Sequence, residues 1–128
     1  MIGYVTDSRE AVLPITVRGP SRLPRQIEAV IDTGFNGHLA LPPESVAVLG
    51  LPFHSDSTAT LADDTEVMLP LHTGHVEWDG TERRVFVLSA AGSPLLGMSL
   101  LYGSRLVVDV IEGGPVTITP IVENQGMP

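Results

Sequence analysis

The residues with the clearest potential for chemistry lie in one stretch, from Ala29 to Gly37. Three apolar residues run into Asp32, which is followed by Thr33 and Gly34. An apolar run with β-branched residues predicts a buried strand, and the glycines after it predict a tight loop. Asp32 then lies where a strand leaves the core, and an unpaired charge is costly there. Either the loop amides satisfy this carboxylate, as in an Asx-type turn, or the carboxylate takes part in proton transfer.

The elements that must position this loop are predicted to be mostly strands. Prolines and glycines are spread along the chain and separate short segments rich in Val, Ile, Thr and Leu, which is typical of a mostly β protein. The predicted strands are residues 2–5, 11–18, 25–31, 38–41, 58–62, 65–69, 73–78, 81–88, 105–111 and 115–121. A helix is predicted at residues 43–49, and one or two helical turns between 99 and 104. We expect a single domain over residues 1–128, with its core at about 11–121 and a frayed tail from residue 123.

Composition excludes several classes of function. The chain has no cysteine, so it has no disulfide, thiol nucleophile or thiolate metal site, which is compatible with the cytoplasmic location that we expect. A net charge of −8 repels phosphate backbones and anionic lipids, so neither nucleic acid nor a membrane is expected as a partner. No apolar run approaches the length of a bilayer span, and the first residues do not resemble a secretory signal.

Two short segments carry a resemblance to a known family. The segment Val30-Ile31-Asp32-Thr33-Gly34 resembles the active-site signature of aspartic proteases, and Leu95-Leu96-Gly97 resembles the strand that packs beneath it in the retropepsin-like, or retroviral-type, branch. A Leu-x-Leu-Pro segment at Leu39–Pro42 and a hairpin in the position of the flap complete the same order. The Asp-Thr-Gly-Phe-x-Gly form of the signature resembles a small bacterial group of this branch. The resemblance covers about residues 26–110.

The resemblance implies a mostly β, retropepsin-like acid protease half-barrel with one or two short helices, functional as a twofold dimer. It implies an aspartic endopeptidase without a metal or cofactor, in which paired Asp32 carboxylates activate water and act as base and acid. Because the chain has one Asp-Thr-Gly, the pair must come from two copies, so a homodimer is expected. Thr33 would hold the pair coplanar, Gly34 would offer a backbone amide, and Leu96 and Gly97 would support the loop.

Substrate contacts are expected from the loop after the signature and from a hairpin at residues 57–71, which would close over an extended peptide or unfolded protein. Retroviral members usually have a small residue and then acids after the signature, where this chain has Phe35, Asn36 and Gly37. Phe35 would fill or reshape a subsite, and Asn36 keeps hydrogen-bonding capacity without charge. The hairpin tip lacks the usual glycine. The tip residues expected to bind substrate are Leu61, Ala62, Asp63 and Asp64.

Other interpretations remain open from the sequence. The same fold could bind extended peptides as a dimer without cutting them, or the chain could be a monomeric structural domain with Asp32 in a capping turn. His72 and His75 are three residues apart on a predicted strand and point to opposite faces, so no metal site is expected. Asp109 lies in an apolar segment and is interpreted as structural. The implied dimer interface includes the chain ends, residues 2–5 and 116–121.

Overall fold

The computed structural model describes residues 1–122, so the tail predicted from residue 123 lies outside the described residues. In chain order the strands are β1 (Ile2–Val5), β2 (Ala11–Arg18), β3 (Arg25–Ile31), β4 (Leu39–Leu41), β5 (Phe53–Thr60), β6 (Glu66–Trp78), β7 (Thr81–Ser89), β8 (Leu95–Leu96), β9 (Ser104–Val108) and β10 (Pro115–Pro120). The helices are α1 (Pro43–Leu49) and α2 (Met98–Leu101), and neither is long and apolar enough to cross a membrane. The prediction of a mostly β chain with one or two short helices is confirmed.

The described strands form one sheet, part of which is closed into a barrel. Their order is β5-β6-β7-β4-β8-β3-β2-β1-β10-β9. An additional pairing of β2 with β6, at Val17↔Val76, closes a ring that runs β2, β3, β8, β4, β7 and β6. Closure removes free edges inside the ring, so the free edges of the described sheet belong to β5 and β9.

The core fills the inside of this ring and follows the alternation of its strands. In β2, Leu13, Ile15 and Val17 lie at every second position and are buried, as expected for the inner face of a strand. β4 is buried along its whole length and pairs with β7 on one side and with β8 on the other. α1 covers the core with Val46 and Leu49. The end of β3, from which Asp32 leaves, is therefore anchored in packed structure.

The structure corrects several predicted boundaries, among them the start of β5, which lies at Phe53 instead of residue 58. β6 is one strand of 13 residues, where the sequence predicted two strands separated by residues 70–72. Its first half pairs with β5 and its second half with β7, so the two predicted hairpins share one strand. β9 ends at Val108 instead of residue 111, because the Ile111 amide donates to the Asp109 carbonyl and the Gly114 amide donates to the Ile111 carbonyl, both at 2.8 Å.

β1 and β10 pair with each other although they are far apart in the sequence. Ile2 lies opposite Thr117, and Tyr4 lies opposite Pro115. β1 also pairs with β2, and β10 also pairs with β9, so each of them has a neighbour on both sides. These are the chain-end strands that the resemblance implied for a dimer interface. A second copy could pair with their backbone only by displacing a neighbour from the same chain.

Candidate active site

Asp32 is the first residue after β3, and hydrogen bonds fix the backbone around it. The Asp32 amide donates to the Leu96 carbonyl at 2.9 Å, and the Phe35 amide donates to the Asp32 carbonyl at 3.1 Å. The Gly34 amide donates to Oδ1 of Asp32 at 2.9 Å, which is the Asx-type turn considered from the sequence. The side chain is partly exposed, and Gly34 is its hydrogen-bond partner among the described residues. The turn orients the carboxylate and leaves its second oxygen available for proton transfer.

The loop that follows β3 is held in place by α2. The Met98 amide donates to the Phe35 carbonyl at 2.8 Å, and the Ser99 amide donates to the Gly37 carbonyl at 3.1 Å. The Ser99 hydroxyl also donates to the Asn36 carbonyl. Amides in the first turn of a helix have no acceptor inside the helix, so the loop carbonyls satisfy them. Sequence reasoning missed this positioning role of Ser99, for which its place at the start of a short helix is the signal.

Gly97 allows the loop to approach β8 closely. A Cβ at Gly97 would lie 2.3 Å from the Gly37 carbonyl oxygen, and 2.7 Å from both the carbonyl oxygen and Cδ2 of Phe35. A Cβ at Gly37 would lie 2.6 Å from Cζ of Phe35. The Phe35 ring, predicted to fill or reshape a substrate subsite, thus packs against both glycines and is partly buried. The two glycines and the Phe35 ring pack directly against one another, so a larger side chain at any of the three positions would displace its neighbours.

β8 and α2 support the loop from beneath. β8 pairs in parallel with β3 at Ile31↔Leu96 and antiparallel with β4 at Leu39↔Leu96, and Leu96 is fully buried. At the far end of α2, Nη1 of Arg83 donates to the Leu100 carbonyl at 3.1 Å. The carbonyls in the last turn of a helix have no donor within the helix, and the Arg83 guanidinium supplies one for Leu100. The structure therefore places the loop that carries Asp32 in direct contact with the Leu96 segment that was predicted to support it.

The hairpin tip that is predicted to bind substrate lies on the surface of the molecule. β5 and β6 form an antiparallel hairpin, in which the Leu61 amide donates to the Thr65 carbonyl at 2.8 Å. Asp64 has a φ of 66°, a conformation that Asp tolerates better than most residues other than glycine. Hydrogen bonds from the Thr65 hydroxyl and amide lower the pKa of Asp63. Among the described residues, no hydrogen bond joins Leu61, Ala62, Asp63 or Asp64 to the Asp32 loop.

A surface cavity of about 440 Å³ lies beside the loop. It is lined by Asn36, His38, Met98, Ser99 and Tyr102. Nδ1 of His38 accepts a hydrogen bond from the Phe86 amide at 3.3 Å, so the ring is neutral, with its proton on Nε2. Burial, and then the charge of Arg83, lower the pKa of His38. Sequence reasoning missed His38, whose only signal is its place between the signature and the Leu-x-Leu-Pro segment.

The remaining sequence candidates lie elsewhere. Nδ1 of His72 donates to the Leu51 carbonyl at 2.9 Å, and His75 is partly buried on the same strand. Asp109 is exposed in the turn that follows β9. Within residues 1–122, no three His, Asp or Glu side chains are grouped so that they could hold a metal ion.

Comparison with known proteins identifies the fold. No family model matches the chain, and no curated protein matches it significantly. Among solved structures, the chain is similar to a retropepsin-like aspartic protease from Rickettsia conorii, with a TM-score of 0.56 and 21% sequence identity. The match covers 91% of this chain and 87% of that chain. At this identity the likeness establishes the fold, and the predicted retropepsin-like fold is confirmed.

Proposed function

We propose that this chain, with its retropepsin-like fold, is an aspartic endopeptidase that acts as a homodimer. The observation that carries the proposal is the position of Asp32 at the end of β3, on a loop seated against Leu96 and Gly97. The Gly34 amide orients one oxygen of the carboxylate, and the side chain is partly exposed. Water and a second carboxylate can therefore both approach it.

In the proposed reaction, two Asp32 carboxyl groups share one proton, because two carboxylates at hydrogen-bonding distance do not both ionise readily. The ionised Asp32 removes a proton from water while the water oxygen bonds to the scissile carbonyl carbon. The protonated Asp32 donates its proton to the carbonyl oxygen, which gives a tetrahedral diol. One carboxyl then protonates the amide nitrogen while the other takes a proton from a diol hydroxyl. The C–N bond breaks, and a carboxylic acid and an amine leave.

The proposed site is complete only in a dimer, because the chain contains one Asp-Thr-Gly segment. Thr33 is exposed beside the carboxylate, where its hydroxyl can bond across the twofold axis and hold the pair in one plane. The β5–β6 hairpin serves as the flap and closes over an extended peptide, whose main chain pairs with strand edges. Asn36 is exposed on the loop and contacts substrate directly, and the Phe35 ring packed against Gly37 shapes the neighbouring subsite.

The first test is cleavage of an unfolded protein mixture at acidic pH. Asp32→Asn should lower the cleavage rate by roughly 10²- to 10⁴-fold, because it removes the group that transfers protons. The matched control is Asp7→Asn, the same chemical change at an exposed turn between β1 and β2, which should leave the rate unchanged. Equal rates for wild type and Asp32→Asn would reject the catalytic assignment.

A mixing experiment tests whether the site is shared. Adding an equal amount of Asp32→Asn to wild-type chains should reduce cleavage to about half of that from the same wild type alone, because random pairing places half of the active chains in mixed dimers. Unchanged cleavage would contradict a shared site.

The alternative function is peptide binding without cleavage, and the acidic, glycine-free tip with Asp64 in a left-handed conformation favours it. That alternative predicts peptide affinity that Asp32→Asn does not change, and no product at any pH. Measuring affinity and cleavage on the same peptide library separates the two functions.

A further inference from the structure

We propose that Asn36 is a site of spontaneous deamidation, in which the backbone nitrogen of Gly37 attacks the Asn36 side chain and water completes the conversion to aspartate or isoaspartate. This inference goes beyond the proposed function, because the reaction needs neither a substrate nor a second copy of the chain. The sequence contains two asparagines, Asn36 and Asn124, and Asn36 is the one that glycine follows. Glycine has no side chain to obstruct its own backbone nitrogen.

Both reacting groups are unengaged in the described part of the chain. Asn36 is exposed, and its one hydrogen bond within residues 1–122 is accepted by its backbone carbonyl, so the side-chain amide is not held. The Gly37 amide donates to no acceptor within the same residues. The side-chain carbonyl carbon of Asn36 can therefore turn onto the Gly37 nitrogen without breaking a hydrogen bond within this part of the chain.

Ser99 activates the attacking nitrogen. Its hydroxyl donates to the Asn36 carbonyl, which belongs to the same peptide group as the Gly37 N–H. When this nitrogen loses its proton, resonance places much of the negative charge on the carbonyl oxygen. A donor that is already directed at an oxygen where charge develops stabilises that charge. The Ser99 hydroxyl therefore favours loss of the Gly37 amide proton, which is the first step of the reaction.

The reaction uses water as its only co-reactant. The Gly37 nitrogen gives its proton to solvent hydroxide and bonds to Cγ of Asn36. The bond from Cγ to Nδ2 then breaks, and the leaving nitrogen takes a proton from water and departs as ammonia. Water adds to one of the two carbonyls of the resulting cyclic imide, and the C–N bond at that carbonyl breaks. Opening at Cγ gives aspartate, whereas opening at the backbone carbonyl gives isoaspartate.

The two products change the loop in different ways. α2 holds the loop on both sides of Asn36. The Met98 amide donates to the Phe35 carbonyl at 2.8 Å, and the Ser99 amide donates to the Gly37 carbonyl at 3.1 Å. Aspartate keeps the backbone between these bonds and adds one negative charge to a chain of charge −8. Isoaspartate adds one carbon atom to the backbone between them, so at least one of the two bonds has to lengthen.

The first experiment measures conversion in purified wild-type protein without substrate. The protein is kept for days at about pH 6 and about pH 8, where the rate should differ by about tenfold or more because the nucleophile is the deprotonated nitrogen. Digestion by a glutamyl endopeptidase in mildly acidic buffer releases residues 29–44 and residues 124–128 as separate peptides. Mass spectrometry then measures the change from amide to acid in each. Asn36 should convert at least about tenfold faster than Asn124.

Variants of Ser99 test the activation step. Ser99→Ala should slow conversion of Asn36 by about two- to tenfold, the effect of one hydrogen bond on a rate. Ser99→Thr keeps a hydroxyl and should keep the wild-type rate. The matched control is Ser93→Ala, the same change at an exposed residue between β7 and β8, which should not alter the rate. A loop that is merely loosened predicts faster conversion in Ser99→Ala, so the direction of the change decides.

The aspartate product can also be made directly. The Asn36→Asp variant should unfold at a temperature about 2–8 °C higher than the isoaspartate fraction of aged wild type, because isoaspartate weakens a bond to α2. Equal unfolding temperatures would contradict the expected effect on the loop. Thermal unfolding of the fresh variants at Ser99 and Ser93 establishes that their fold is intact.

The outcomes separate this inference from the proposed function. Conversion of Asn36 that is no faster than that of Asn124, or a Ser99→Ala rate equal to or above the wild-type rate, would overturn it. If Asn36 converts as expected but no cleavage of any protein is found, the deamidation site stands and the endopeptidase fails. If cleavage depends on Asp32 while Asn36 stays intact, the endopeptidase stands and the deamidation site fails.

Discussion

Alanine substitution at Gly37 and at Gly97 should destabilise the protein through different neighbours. At Gly37 the three atoms nearest to the new Cβ all belong to the Phe35 ring, with Cζ at 2.6 Å and Cε1 at 2.8 Å. Carbon atoms in contact lie about 3.5–4.0 Å apart, so the ring must move by roughly 1 Å. At Gly97 the new Cβ meets the carbonyl oxygens of Gly37 and Phe35, at 2.3 Å and 2.7 Å. These two carbonyls accept hydrogen bonds from α2, so their movement also weakens the support of the loop.

The expected magnitudes follow from these contacts. Overpacking against a side chain costs about 1–3 kcal/mol, so Gly37→Ala should lower the free energy of unfolding by that amount. Gly97→Ala should cost about 3 kcal/mol or more, because backbone atoms move and hydrogen bonds with α2 lengthen. Urea unfolding of the wild type, both alanine variants, Phe35→Ala and the two double variants measures these costs in one series.

Removing the Phe35 ring should affect the stability costs of the two alanine substitutions differently. In the Phe35→Ala background, the cost of Gly37→Ala should fall by at least about 1 kcal/mol, because the three nearest atoms at that position belong to the ring. The cost of Gly97→Ala should fall less, because its shortest contact is with the Gly37 carbonyl. Equal recovery at both glycines, or strictly additive costs at Gly37, would refute this account of the loop.

Two further predictions concern pH and the hairpin tip. Lowering the pH through about 6.5 should reduce the free energy of unfolding until the folded-state pKa of His38 is passed, because that pKa is lowered and the unfolded chain binds the proton first. His38→Gln should flatten this part of the urea-unfolding profile, and an unchanged slope would contradict the assignment. Asp64→Ala should cost about 1 kcal/mol in thermal unfolding, because alanine tolerates a φ of 66° poorly, whereas Asp64→Gly should be neutral or stabilising. Equal melting temperatures for the two variants would argue against strain at the tip.

Local elements of the fold could be predicted because each carries its own signal. The predicted bounds are correct for β2, β3 and α1. In the two strands, an apolar run lies between clear turn residues. In α1, a proline and an acid mark the start of the helix. Asp79-Gly80 forms the predicted turn between β6 and β7, and both residues have positive φ. The pairings β2–β6 and β1–β10 were not predicted, because they join segments distant in sequence and leave no local pattern.

The candidate site was predictable in its parts but not in its packing. The signature at Asp32 and the support at Leu96 and Gly97 are joined as expected from their order in the chain. The position of the Phe35 ring and the bonds from α2 were not predicted, because they depend on how closely two backbones approach in space. Catalysis, the homodimer and the substrate contacts of the hairpin stay predictions.

The pairing of β1 with β10 sets the order in which the molecule is assembled during synthesis. Ile2 lies opposite Thr117, so the first strand waits for its second neighbour until nearly all of the described chain has left the ribosome. Contacts that close such long loops form late and slow folding. β9 gains its partner β10 at the same late stage. Completion of the sheet therefore waits until β10 has been synthesised and has left the ribosome, and until then β9 lacks the strand that holds it in place.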